Sequence, residues 1–114
     1  MDDQELMEKI KKGDELAFSE LMTMYKDRVV NFLYQFTGDY QVAVDLSQET
    51  FLRVFFKAKK YRPIAPVSSW IYAIAANLAR TERKKINRKA AISLDEIANS
   101  YSAGSYSLEH NDHG

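Results

Sequence analysis

The sequence holds no cysteine, and that one absence removes thiolate catalysis, redox pairs, disulfide staples and Cys-ligated zinc together. The absence is compatible with a reducing compartment, and the cytoplasm is the expected location. Glycine is scarce too, four residues in all, and none of them builds a phosphate-cradling loop. No apolar run approaches the roughly 20 residues that span a bilayer. The N-terminus, Met1-Asp2-Asp3-Gln4-Glu5, is acidic where a signal peptide would be basic and then apolar. Neither secretion nor membrane insertion is expected. Catalytic groupings are also missing: the serines lack an orienting base, no carboxylate pair sits in a recognisable cleft pattern, and His110-Asn111-Asp112-His113 lies in a polar tail with nothing to orient the imidazoles. Hence no enzyme activity, cofactor or metal is expected.

What is present fits one small domain. The 114 residues carry 16 Lys plus Arg against 16 Asp plus Glu, but the balance hides a segregation. Residues 1–15 hold six acids and three bases, residues 90–114 hold four acids and no base, and residues 80–89 hold Arg80, Arg83, Lys84, Lys85, Arg88 and Lys89 against Glu82 alone. Such a block suits a polyanion partner. A solvated helix end, its cations near the negative pole of the dipole, gives the same composition.

Periodicity predicts an all-α bundle of about four helices. Asp2 or Asp3 can cap a short first helix that buries Leu6, Met7 and Ile10, and Gly13 supplies a left-handed stop. From Asp14, the spacing of Phe18, Leu21, Met22, Tyr25, Val29, Phe32, Leu33 and Phe36 marks a long amphipathic helix, ended by Thr37-Gly38-Asp39. A third helix is expected over residues 41–60 with Ala43, Leu46, Thr50, Phe51, Val54 and Ala58 inward. Its opposite stripe mixes Asp45, Gln48 and Glu49 with Leu52 and Phe56, which is the anatomy of a protein interface. Leu52 and Phe56 could instead form a second core face covered by the first helix. Pro63 and Pro66 must break the helix, and Ser68 or Ser69 can cap a fourth. In that helix Ile71, Ile74, Ala75 and Leu78 face the core, while Ala73, Asn77, Arg80 and Lys84 take another face. Trp70, beside the core stripe, reads as structural. Residues 1–92 are the expected globular unit. Residues 93–114, beyond a helical turn at residues 93–97, read as a linker or flexible tail with too few apolar side chains to offset ordering entropy.

Three blocks are distinctive. The run Asp45-Leu46-Ser47-Gln48-Glu49-Thr50-Phe51-Leu52-Arg53-Val54-Phe55, preceded by Ala17-Phe18-Ser19-Glu20-Leu21 with Tyr25 and followed by Ser69-Trp70-Ile71-Tyr72-Ala73-Ile74-Ala75-Ala76-Asn77-Leu78-Ala79-Arg80, resembles region 2 of bacterial RNA polymerase sigma factors of the extracytoplasmic-function (ECF) group, over about residues 5–90. The resemblance implies a helical domain for transcription initiation that binds core RNA polymerase and recognises and melts the minus-ten promoter element. It assigns Asp45, Gln48, Glu49, Leu52, Arg53 and Phe56 to the surface that docks on the clamp coiled coil of the largest polymerase subunit. It assigns Tyr61, Arg62, Tyr72, Asn77, Arg80, Arg83, Lys84 and Lys85 to the non-template DNA strand, with Asn77 offering a base-edge contact and the cations phosphate contacts. An anti-sigma protein able to mask these surfaces is a further implied partner.

Two features depart from the family. Its helix-turn-helix domain for the minus-thirty-five element is not expected within these 114 residues, where residues 93–114 resemble the interdomain linker, as a shortened chain or a one-domain variant would have it. In addition, Arg62-Pro63-Ile64-Ala65-Pro66 stands where relatives often carry Gly and Asp, so no base preference is carried over. Two other readings stay open at this level: a helical interaction module that retains the polymerase-binding face without promoter recognition, and a helical DNA-binding protein unrelated to polymerase.

Overall fold

The computed structural model describes residues 2–103, and among these four α-helices and one 3-10 turn form the fold, with no strand. The chain divides into two compact units, Met1–Arg80 and Thr81–Gly114.

Local signals set the first three helices. Helix α1 (Asp3–Lys11) starts where the Asp2 carboxylate accepts from the Glu5 N–H at 2.8 Å. Asp3 and Glu5 in its first turn and Lys9 and Lys11 in its last complement the helix dipole. Gly13, at φ 89°, turns the chain through a left-handed conformation that a side chain would resist. Asp14 then caps α2 (Glu15–Thr37) by accepting from the Ala17 N–H at 3.0 Å. Gly38, at φ 71°, ends α2 by donating its N–H to the Tyr34 carbonyl at 2.8 Å. Asp39 caps α3 (Tyr40–Lys57) through the Val42 N–H. The expected third helix tightens at its end into a 3-10 turn, Ala58–Lys60.

The core of the first unit is built on one ladder. Ala17, Leu21, Tyr25, Val29 and Leu33 of α2 are all buried, and a strict spacing of four places them in a row along one side. The larger Phe18, Met22, Phe32 and Phe36 flank that row and are only partly buried against it. Helix α1 packs on α2 and on the 3-10 turn, bringing in Leu6, Met7 and Ile10. Helix α3 contributes Ala43, Ser47, Thr50, Phe51 and Val54. Ser47 replaces the expected Leu46, which is half-buried. The buried Thr50 hydroxyl donates to the Leu46 carbonyl at 2.7 Å, which removes the cost of an unpaired polar group.

Helix α4 (Val67–Ala103) differs from expectation at both ends. It begins before Ser68 and Ser69, and the Pro66 carbonyl accepts from the Trp70 N–H at 3.3 Å. Both serines therefore sit inside the first turn rather than capping it. Proline serves at such a start because a missing N–H costs nothing there. At the other end the helix continues through Ala91 to Ala103. Residues 67–103 contain neither Gly nor Pro, so nothing local interrupts the helix, and the polar Ser93, Asp95, Glu96, Asn99 and Ser100 that suggested a linker are exposed on it. The remainder of the expected tail, including His110 to His113, lies outside the described residues. No described helix is long and apolar enough to cross a membrane.

One buried contact ties α1 to α2. The Tyr25 hydroxyl donates to the Asp3 carboxylate at 2.5 Å. Burial, reinforced by this bond, pushes the Tyr25 pKa up from 10.0 to about 12. The fold holds the neutral phenol, so the stability from this group is fully present below pH 10 and is lost as pH rises toward 12. Tyr25→Phe is expected to cost about 1 kcal/mol at neutral pH. In chemical denaturation series at rising pH, the gap between wild type and variant should narrow across that window.

Candidate functional site

Helix α3 buries one side and leaves the other bare. On the bare side, Asp45, Gln48, Leu52, Arg53 and Phe56 are exposed and Glu49 is half-buried. Leu52 is 50% exposed and Phe56 76%, so they do not form a second core face; α1 lies on α2 and the 3-10 turn instead. Two weak pairs run along this surface. Gln41 Nε2 donates to Asp45 Oδ1 at 3.1 Å, and Arg53 Nε meets Glu49 Oε2 at 3.2 Å. An i,i+4 ion pair this exposed contributes about 0.3–0.5 kcal/mol, far less than a bidentate contact to an external guanidinium can supply. The six side chains thus form an apolar patch beside acceptors that can exchange partners cheaply.

The segment after the 3-10 turn behaves differently from expectation. Tyr61, expected to face DNA, is 2% exposed and belongs to the core. Its hydroxyl donates to the Ala65 carbonyl at 3.0 Å, its ring meets Trp70 edge-on at 5.3 Å, and Lys11 Nζ lies 5.4 Å from its centroid. Burial, with Asp3 and Glu8 nearby, raises its pKa. Its buried ring anchors the loop. Arg62 stays exposed while its Nη1 donates to the carbonyls of Lys59 and Tyr61, each at 3.2 Å, and the Ile64 N–H turns back to the Arg62 carbonyl at 2.8 Å.

Between this anchored loop and the first turns of α4 lies a cleft of about 390 Å³, lined by Lys60, Tyr61, Arg62, Ile64, Ala65, Ser69, Trp70 and Ala73. Aromatic rings lie among small side chains there, with two cations in the lining. This arrangement can take a flat apolar ring and bring a phosphate near Lys60 or Arg62. Trp70, read from sequence as structural, is half-buried and both packs on Tyr61 and lines the cleft. The signal available for it was its place one step from Ser69 and three from Ala73, small exposed residues that leave room above the ring. Tyr72 is not among the lining residues. It is partly buried, with its ring edge-on to Phe32 at 5.2 Å.

Farther along α4 within the first unit, Ser69, Ala73, Asn77 and Arg80 are exposed at spacings that share a face. Arg80 Nη2 donates to Asn77 Oδ1 at 2.7 Å, which joins the expected reading side chain to an expected phosphate contact. In the second unit Arg83, Lys84 and Lys85 are exposed, as are Arg88 and Lys89. This block does not close the helix: α4 runs on to Ala103 and has no basic residue in its last turn. Stabilisation by the helix dipole, which acts within the last turn, therefore does not account for it.

The sigma-70 region 2 family model matches residues 21–89. The chain belongs to the sigma-70 region 2 family. The ECF RNA polymerase sigma factor SigW of Bacillus subtilis is 33% identical over 81 residues, covering 69% of this chain and 43% of the relative. The ECF RNA polymerase sigma-E factor of Haemophilus influenzae is 27% identical over 106 residues, covering 91% of this chain and 56% of the relative. The chain thus spans about half the length of these curated relatives. Among solved structures, the NMR structure of an engineered region 2 of sigmaE in complex with GTAAAA superposes with a TM-score of 0.72 at 27% identity, covering 78% of this chain and 93% of that one. The three distinctive sequence blocks therefore mark an ECF-type region 2 domain, and its all-α fold agrees with that neighbour.

The bare side of this region 2 domain makes little contribution to its own stability. Arg53→Ala is expected to shift unfolding free energy by no more than about 0.5 kcal/mol, measured by urea denaturation with the helical circular dichroism unchanged.

Proposed function

We propose that this region 2 domain serves a cytoplasmic ECF-type sigma factor in transcription initiation, with two surfaces of its first unit for two partners. The bare side of α3, Asp45, Gln48, Glu49, Leu52, Arg53 and Phe56, docks on the clamp coiled coil of the largest subunit of core RNA polymerase. The cleft beside Trp70 and Arg62, with Asn77 and Arg80, takes the non-template strand of the minus-ten element and holds it melted, and the basic residues of the second unit, Arg83, Lys84 and Lys85, supply further phosphate contacts.

The observation that carries this reading is the cleft. An anchored loop, an accessible indole and two cations are what an unstacked base and its phosphate require, and base stacking on an aromatic ring is worth about 1–3 kcal/mol. The likeness to an engineered sigmaE region 2 in complex with GTAAAA supports an adenine-rich single strand as the substrate class. For the polymerase side, the support is chemical: Glu49 is held only by an exposed pair with Arg53, and exchanging that pair for an arginine of the partner gains a stronger, more desolvated contact.

The mechanism divides positioning from reading. Lys and Arg side chains neutralise phosphates without regard to sequence, which draws the strand along α4. The cleft then stabilises a base out of the stack, so the melted state is favoured by the differential contact it alone makes. The residues lining the cleft are distinct from those proposed to dock on polymerase, and any bond-making chemistry belongs to the polymerase.

Two outcomes test the two halves. Glu49→Arg is expected to weaken binding of the full chain to the isolated clamp coiled coil by at least about tenfold, followed by fluorescence anisotropy with helicity unchanged. No binding by the folded wild type would contradict the polymerase role. Neutralising Arg80 and Lys84 together is expected to reduce the slope of log affinity against log salt for an adenine-rich single strand by about 1.4. An unchanged slope would remove both residues from the DNA surface.

A further inference from the structure

The second unit carries aliphatic side chains that face water. Ile86 is 50% exposed, and Leu94 and Ile97 are each 52% exposed. At about 100° per residue, Ile86, Ala90, Ser93 and Ile97 fall on one stripe of α4 and Leu94 borders it. Lys85, Lys89 and Glu96, all exposed, flank that stripe on one common side. Neither polymerase nor DNA contact makes use of the stripe.

We propose that this stripe is a self-association surface on which a second copy of the chain docks antiparallel. The charge order selects that occupant. With the twofold axis passing between Ala91 and Ile92, Ile86 lies opposite Ile97 of the second copy and Ala90 opposite Ser93, and symmetry repeats each contact. Antiparallel helices bring like flanks together, so Glu96 of each copy falls level between Lys85 and Lys89 of the other. In a parallel pair this flank would instead meet the opposite one, which carries Asn87 and Leu94, and no Lys–Glu contact would form. The charges therefore favour the antiparallel arrangement alone.

With so few aliphatic side chains at its centre, the pair is smaller than the roughly 1,200 Å² of a standard interface, and the association is weak and concentration-dependent. Lys85 belongs both to this flank and to the basic block proposed to meet phosphates, so a single strand and a second copy compete for it. The association itself needs neither DNA nor polymerase, and it can fail or hold independently of the proposed function.

Sedimentation equilibrium of the full chain at low salt, up to about 1 mM, the weak end of specific association, provides the test. The mass should rise with concentration from 13.2 kDa toward twice that value. Glu96→Lys alone, and Lys85→Glu with Lys89→Glu, should each abolish the rise, and an equimolar mixture of the two variants should restore it, because both flanks of the mixed pair are then complementary. The chain has no cysteine of its own, so mixing Ile86→Cys with Ile97→Cys under mild oxidation should give the crossed disulfide. A wild type that stays at monomer mass throughout, a rise that persists in both charge variants, or disulfides joining position 86 to position 86 would each overturn the proposal.

Discussion

The first unit depends on the burial of a single ladder, Ala17, Leu21, Tyr25, Val29 and Leu33, along α2. Helices α1 and α3 pack around it, and the buried Ile71, Ala75 and Ala79 of α4 complete the same core. Each neighbouring helix has one side committed to that core, so its other side is left to solvent. This is why α3 can present Leu52 and Phe56 beside Glu49, and why the first turns of α4 can expose Ser69, Ala73 and Asn77. Tyr25 adds a polar tie to the ladder, since its buried hydroxyl is satisfied by Asp3 of α1. The proposed binding surfaces are the unburied remainders of the helices that make the core.

The cleft is a consequence of the same economy of faces. Two prolines in a short loop cannot be held by a regular backbone ladder, and here a side chain holds them: the buried Tyr61 reaches the Ala65 carbonyl and Arg62 closes on the carbonyls behind it. The loop is thereby fixed against Trp70, and the cleft is preformed rather than assembled around a ligand. Preorganisation of that kind reduces the ordering entropy charged against binding.

Much of this was legible in the sequence because it is local. A cap at Asp2 or Asp3, stops at Gly13 and Gly38, and the stripes of α1 to α3 follow from side-chain reach and helical spacing. The face of α3 that mixes Glu49 with Leu52 and Phe56 was visible as an anomaly of its pattern, and those side chains are indeed left outside the core. What escaped depended on tertiary placement. Tyr61 carries both an apolar ring and a polar tip, and nothing in its neighbours indicates which the fold will use. Trp70 serves the core and the cleft at once. The length of α4 escaped because residues 93–103 are polar, although they lack any residue that forbids a helix.

Amide chemical-shift mapping of the full chain, with a short adenine-rich single strand and separately with the clamp coiled coil, tests most directly the claim that two independent surfaces serve two partners. The account predicts shifts at Ser69, Trp70, Ala73 and Asn77 with the strand and at Gln48, Glu49, Leu52 and Phe56 with the coiled coil, each set unmoved by the other ligand. Strand-induced shifts confined to residues 83–89, with the cleft silent, would contradict it.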